Sequence, residues 1–169
     1  VWYGNPTATT TSNASALTVV CDFESPISGW SAEPGCEVGT LTQSTAQVIE
    51  GNYSGALYCG NGNYIIYKSV STSVIGGWFY DDGTSPCLGG LSTDLYGSAG
   101  FDYIGICTEL SSSYYCYGSW TGSISSVPRS VGWHHVEIRA RSDGVRDFYL
   151  DGGLIGSRSS RPTTISKLE

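Results

Sequence analysis

The sequence predicts an all-β fold, a sandwich or a barrel, on three observations. The chain holds 23 glycines and 12 tyrosines but no methionine, and its many Ser and Thr suit strands and turns, whereas helices draw on Ala, Leu, Lys and Glu. Short β-branched and aromatic runs alternate with Gly, Ser, Asn and Asp clusters, and no segment keeps a helical period for a useful length. At 169 residues the chain is long enough to bury one sizeable core and too short for two.

Residues 1–16, VWYGNPTATTTSNASA, carry little apolar material after Tyr3 and read as a linker or extended arm; the domain proper runs over 17–169. Strand candidates then follow as LTVVCDFE, AQVIEG, GALYCG, YIIYKSV, VIGGWFYDDG, FDYIGICTEL, YYCYGSW, HHVEIRAR, RDFYLDG and LIG. No internal repeat is evident.

Three hairpins can be argued residue by residue. In HHVEIRARSDGVRDFYLDG, Val136, Ile138 and Ala140 fall on one face and Glu137, Arg139 and Arg141 on the other, the pattern of a strand covered on one side. Asp143-Gly144 supplies the positive φ of a tight turn, and Phe148 with Leu150 resumes the apolar face. Asp151-Gly152-Gly153 then turns the chain into Leu154 and Ile155. Consecutive strand residues point to opposite faces, so His134 and His135 cannot share one metal ion or one substrate, and a structural role is expected for the pair. Glu137, Arg139 and Arg141 read as a solvated face with cross-strand pairing near Asp147.

In FDYIGICTELSSSYYCYGSW, a two-residue loop at Ser111-Ser112 sets Leu110 opposite Ser113 and Cys107 opposite Cys116. The cysteines then occupy a non-hydrogen-bonded pair, whose short separation accepts a disulfide. Ile104, Ile106, Thr108, Tyr115 and Tyr117 share the expected core face. The second face carries Tyr103, Gly105, Cys107, Glu109, Tyr114, Cys116, Gly118 and Trp120, with Tyr103 across from Trp120 and Gly105 across from Gly118. Two facing glycines between aromatics and a carboxylate make a shallow floor on which a sugar ring could lie. Trp78 and Tyr80, two apart in GGWFYDDG, extend that platform if their strand lies alongside. The competing reading buries these aromatics under a loop or in a second layer of core, since Tyr and Trp serve strands through packing alone.

Composition bounds the partners and the compartment. A net charge of −7 and a pI near 4.6 repel phosphate backbones and anionic lipid, which argues against a nucleic-acid or membrane-surface role. No apolar stretch approaches the roughly twenty residues that span a bilayer. Six cysteines at 21, 36, 59, 87, 107 and 116 form an even set with no CxxC pair and no nearby histidine, so disulfides and secretion are expected rather than zinc. Besides Cys107–Cys116, the shorter loops favour Cys21–Cys36 and Cys59–Cys87 among three possible pairings. The start at Val1 suggests that a leader or upstream domain precedes it, and Asn13-Ala14-Ser15 and Asn52-Tyr53-Ser54 are glycosylation sequons.

The order WFYDDG, YIGI, YYCYG, RSVGWHHVEI and FYLDGGLIG, with DFESPISGW near the front, resembles the laminin-G-like, concanavalin A-like jelly rolls of lectins, adhesion proteins and carbohydrate-binding modules. The resemblance runs by texture from Val19 to Ile165, and GWHHVEI to YLDGGLIG is its most specific part. It implies a two-sheet antiparallel β-sandwich, a jelly roll, here stapled by disulfides. It also implies a structural calcium ion at Glu24. The closing strand with an acidic pair that such modules commonly carry has no counterpart in TTISKLE, which leaves the cofactor expectation as either none or that calcium ion.

Among functions, a secreted, non-catalytic module that binds a glycan or polysaccharide or mediates adhesion is the first expectation, with Tyr103, Glu109, Tyr114, Trp120, Trp78 and Tyr80 as ligand contacts. A second is an extracellular structural subunit that joins neighbouring copies through the N-terminal arm, anchored by Trp2 and Tyr3. Glycosidase chemistry needs two carboxylates grouped on one strand face, and no ExDxxE-like cluster occurs. A polysaccharide-cleaving alternative would use His135 with Arg139 and Tyr149.

Overall fold

The computed structural model describes residues 23–24, 29–32, 40–49, 51–58, 66–84, 88–93, 101–119 and 121–169. In chain order their strands are β1 (Ser31–Ala32), β2 (Thr40–Ser44), β3 (Ser54–Tyr58), β4 (Ile66–Thr72), β5 (Val74–Asp81), β6 (Leu88–Thr93) and β7 (Asp102–Cys107). Then come β8 (Ser111–Gly118), β9 (Ser123–Pro128), β10 (Gly132–Ala140), β11 (Arg146–Leu150), β12 (Gly153–Arg158) and β13 (Ile165–Leu168). The fold is all-β and every described strand pair is antiparallel. Two sheets have four strands, β12-β11-β10-β5 and β6-β7-β8-β9; β1-β4-β13 and the hairpin β2-β3 complete the set.

The period-2 pattern places the core. Val136, Ile138 and Ala140 of β10, Phe148 and Leu150 of β11 and Ile75 of β5 face Ile104 and Ile106 of β7 and Tyr115 of β8, while Ile165 of β13 closes one side. The two larger sheets therefore sandwich a single apolar layer. Ile104, Tyr115, Ile138, Phe148 and Ile165 have no exposed surface, and burial of each such side chain stabilises the fold by about 1.5–3 kcal/mol.

Two buried carboxylates tie the layers together. Asp81, at the inner end of β5, accepts Arg129 Nε at 2.9 Å and Nη2 at 2.7 Å, the Gly83 N–H at 2.8 Å and the Tyr115 hydroxyl at 3.1 Å. Burial pushes its carboxyl up, but the Arg129 hydrogen bonds and the Gly83 N–H outweigh burial and hold it below the usual carboxylate range. Asp102, at the start of β7, pairs with Arg146, Arg158 and Arg161.

The two Asp-Gly turns form as the residues demand. Asp151 and Gly152 both have positive φ, 49° and 80°, as a two-residue type I′ hairpin requires. Between β10 and β11 the Arg141 N–H donates to Val145 O at 2.7 Å, and Gly144, at φ 79°, ends the loop. That is a three-residue loop closed by a left-handed glycine.

The hairpin β7–β8 departs from its expected register. Its turn is at Thr108–Leu110, where the Leu110 N–H donates to Cys107 O at 3.1 Å, so the loop has three residues rather than the two expected at Ser111-Ser112. Past an irregularity after Gly105, the partners are Gly105 with Cys116, Ile104 with Tyr117 and Tyr103 with Gly118. Along this stretch the shift is two residues, which keeps each side chain on its expected face while changing every partner; beside the turn it is five. Cys107 now stands opposite Ser111, and Cys107 and Cys116 are free thiols; the bridge expected between them is not formed. Gly105 faces Gly90 across one edge and Cys116 across the other, rather than Gly118. The AQVIEG segment is also not a strand where it is described: bends follow β2, which pairs Thr40–Ser44 with β3. Cys21, Cys36, Cys59, Cys87, Trp120 and residues 1–16 lie outside the described residues.

Candidate functional site

The sequence-derived ligand contacts do not form one platform. Tyr103 is 3% exposed, stacked on Phe101 with ring centroids 5.7 Å apart, and it joins Cys107 and Cys116 in a second small core against which Leu110 packs. The second face of β7–β8 is thus a packed layer at this end, and the expectation that Tyr103 lies open to a sugar is corrected. Burial also drives the Tyr103 phenol and the Cys116 thiol above their ordinary values. Glu109 is exposed in the turn, and Tyr114 is exposed on β8 opposite Pro128 of β9.

Trp78 and Tyr80 lie in the other large sheet. Their strand, β5, pairs with β10 and not with the β7–β8 hairpin, so they do not extend a surface built on Tyr103. They gain a different one. Register sets Trp78 opposite His135, Tyr80 opposite Trp133 and Gly76 opposite Glu137; on the next strand Tyr149 stands opposite Glu137 and Asp147 opposite Arg139. Because Val136, Ile138 and Ala140 point into the core, Trp133, His135, Glu137 and Arg139 must point out, and parity does the same for Trp78 and Tyr80.

The outward face is an ordered aromatic row. Trp78 and His135 meet edge-on at 5.0 Å, and Tyr80 and Trp133 at 5.6 Å. Trp78 keeps 50% of its surface exposed. Beside it Gly76 leaves bare backbone, and beyond lie the Glu137–Arg139 ion pair and Tyr149, with the guanidinium carbon of Arg139 4.3 Å from the Tyr149 ring centroid. The Glu137 hydrogen bond raises the Arg139 pKa further, so this guanidinium is charged at any ordinary pH. The face offers flat rings, a carboxylate, a guanidinium and a phenol.

His134 faces inward, as its parity requires. Its Nδ1 lies 2.8 Å from Asp151 Oδ2 and its Nε2 2.9 Å from the Ser130 carbonyl and 3.3 Å from Ser130 Oγ. The ring thus ties β10 to the loops that carry Ser130 and Asp151, and the nearer partner of Nε2 is the Ser130 carbonyl rather than its hydroxyl. The same Asp151 accepts the His135 backbone N–H through Oδ1 at 2.8 Å.

Glu24 is exposed and engaged. Its carboxylate accepts the Asn52 and Tyr53 backbone N–H groups at 2.7 and 2.9 Å and Asn52 Nδ2 at 3.0 Å, which lowers its pKa, the Asn52 side chain contributing most. Among the described residues no group of three His, Cys, Asp or Glu side chains is placed to hold a metal ion.

The sequence reading named Trp78 and Tyr80 but not Trp133 or Gly76; it gave His135 a structural role, placed Glu137 and Arg139 on a solvated face, and grouped His135, Arg139 and Tyr149 only as a cleavage alternative. The available signal was the alternation Trp133, His135, Glu137, Arg139 itself. What it lacked was the neighbour, since nothing local says that β5 pairs with β10. No protein-family model matches the chain, and a search of the curated proteins finds no match.

Proposed function

We propose that the protein is a secreted, non-catalytic glycan-binding module of the jelly-roll type, and that its ligand lies on the outward face of β5, β10 and β11. The observation that carries this reading is Trp78, half exposed and braced edge-on by His135 beside the bare Gly76 backbone. A braced ring loses little conformational entropy when a sugar ring covers it. Glu137, Arg139 and Tyr149 then supply the hydroxyl partners. The cysteines at 21, 36, 59 and 87, without metal-site spacing, support an extracellular setting.

A glycan array followed by titration calorimetry tests it. Trp78→Ala is expected to weaken binding at least ten-fold, a loss of about 1.4 kcal/mol or more, with little change in thermal stability because the side chain is half exposed. Tyr114→Ala is expected to leave binding intact. Wild-type protein that binds no glycan, or binding lost in Tyr114→Ala and kept in Trp78→Ala, would refute the assignment.

A second reading is favoured by one observation: His135, Arg139 and Tyr149 do share this face. They would make a polysaccharide lyase if Arg139 neutralised a uronate while His135 or Tyr149 moved protons. Glu137 already pairs with Arg139, which leaves that charge less able to neutralise a substrate and favours the binding reading. Unsaturated uronate products from acidic polysaccharides would establish the enzyme instead.

A further inference from the structure

Away from the aromatic face, a cleft of about 230 Å³ opens between the end of β8, the turn that follows and the end of β12, lined by Gly118, Ser119, Thr121, Gly122, Ser123 and Arg158. Among the described residues its lining holds one cation, three hydroxyl side chains and no acid, in a chain whose net charge is −7. We propose that this cleft is a binding site for a small tetrahedral oxyanion, sulfate or phosphate, taken up as the free ion or as an ester group on a larger molecule.

The charge count behind Arg158 carries the argument. Arg146 Nη1 and Arg161 Nε each approach Asp102 Oδ2 at 2.8 Å, and Arg158 Nη1 hydrogen-bonds Asp102 Oδ1. Three guanidinium groups thus share one fully buried carboxylate, and among the described residues their ion pairs reach no other acid. Among the described residues two positive charges are left over in a partly desolvated cluster, where an uncompensated charge is costly and a bound anion is correspondingly favoured.

Geometry selects Arg158 as the contact. Arg146 is fully buried and Arg161 is 13% exposed, whereas the Arg158 side chain is 31% exposed and lines the cleft. Its described hydrogen bonds, to Phe101 O and Asp102, both use Nη1, leaving Nε and Nη2, one edge of the guanidinium fork, for the paired oxygens of an oxyanion. Ser119 Oγ and Thr121 Oγ1 share a hydrogen bond at 3.3 Å, which leaves one of the two hydroxyl protons as a further donor. Gly118, at φ 108°, has no side chain to push on the Arg158 stem; a Cβ there would lie 3.3 Å from Arg158 Cδ. The volume is below the roughly 300–1,000 Å³ of sites for drug-sized molecules and suits an ion with a few waters of about 30 Å³ each.

Two-dimensional ¹H–¹⁵N NMR that includes the arginine Nε–H resonances tests the site. Sodium sulfate, sodium phosphate and galactose 6-sulfate are titrated against sodium chloride at equal ionic strength. A saturable shift of Arg158 Nε–H and of the amides of Ser119, Thr121, Gly122 and Ser123 is expected with the oxyanions and not with chloride. Preference for the free ions or for the sulfate ester identifies the source, and either supports the site. Thr121→Asp, an exposed position outside the Asp102 cluster, places a carboxylate at the rim and is expected to weaken binding at least ten-fold with the fold intact. Non-saturating shifts equal to those in chloride, or undiminished affinity in Thr121→Asp, would overturn the proposal. Trp78→Ala leaves this cleft untouched, so failure here and failure of the aromatic platform are separate results.

Discussion

Replacing Asp81 by Ala removes an acceptor on which four hydrogen bonds converge, from Arg129 Nε and Nη2, the Gly83 N–H and the Tyr115 hydroxyl. The Asp81 side chain is fully buried and that of Arg129 only 7% exposed, so water cannot easily replace what is lost. Arg129 would retain Thr84 O at 2.6 Å and Ser112 O at 3.3 Å, carbonyl partners that accept its protons without neutralising its charge. Orphaning one member of such a pair costs about 3–5 kcal/mol, a large part of the ~5–15 kcal/mol that stabilises a typical domain. For a chain of this size the melting temperature should fall by roughly 6–20 °C. Urea unfolding of Asp81→Ala, Arg129→Met and the double variant closes the cycle, and the double variant should cost less than the sum of the singles. The pH dependence adds a sign. Since the folded carboxyl sits below its ordinary value, its stabilisation is fully present above the unfolded pKa of about 3.9 and is lost as the pH falls through the folded value. The wild type should therefore lose stability at acid pH by a component that Asp81→Ala lacks. A cost below about 1 kcal/mol for Asp81→Ala, or strict additivity in the cycle, would refute the reasoning.

Further expectations concern the glycines and the thiols. Gly105→Ala should destabilise by more than about 2 kcal/mol in urea unfolding, because φ is 146° there and an added Cβ would collide with the Gly89 carbonyl and the Gly90 backbone of β6. Gly77→Ala should instead gain about 0.4–1 kcal/mol, since a Cβ at that strand position meets nothing within 4 Å; a loss of stability would show that the backbone there needs glycine. Cys107 and Cys116 are 6% and 0% exposed, and burial, then the neighbouring Cys107, raises the Cys116 thiol pKa. Native protein at neutral pH should label at these positions far more slowly than denatured protein. A disulfide-linked peptide joining the two in a non-reducing digest would contradict the free thiols.

Alternation along β10 and β11 is enough by itself to sort the core from the outside. Val136, Ile138, Ala140, Phe148 and Leu150 face inward, and His134 and His135 part to opposite faces, because a pleated strand reverses its side chains at every residue. Even in β7–β8, where the pairing differs by two residues from the expected register, Ile104, Ile106 and Tyr115 keep the expected side, since an even slip preserves parity. Two features combine in the slip: the turn at Thr108–Leu110 moves the partner of Cys107 by five residues, from Cys116 to Ser111, and the irregularity after Gly105 takes back three; the local sequence chooses neither.

The candidate site is legible in the sequence only in pieces, as Trp78 and Tyr80 on one segment and His135, Arg139 and Tyr149 on others. Composition and period determined an all-β, antiparallel chain and the face on which each residue of its clearest strands belongs, because those follow from local sterics and the transfer of apolar side chains out of water. Tertiary structure decided the partners: β5 beside β10, Tyr103 closed under Phe101, and three arginines gathered on Asp102. Such choices depend on contacts between residues dozens of positions apart, whose free energies no local pattern encodes.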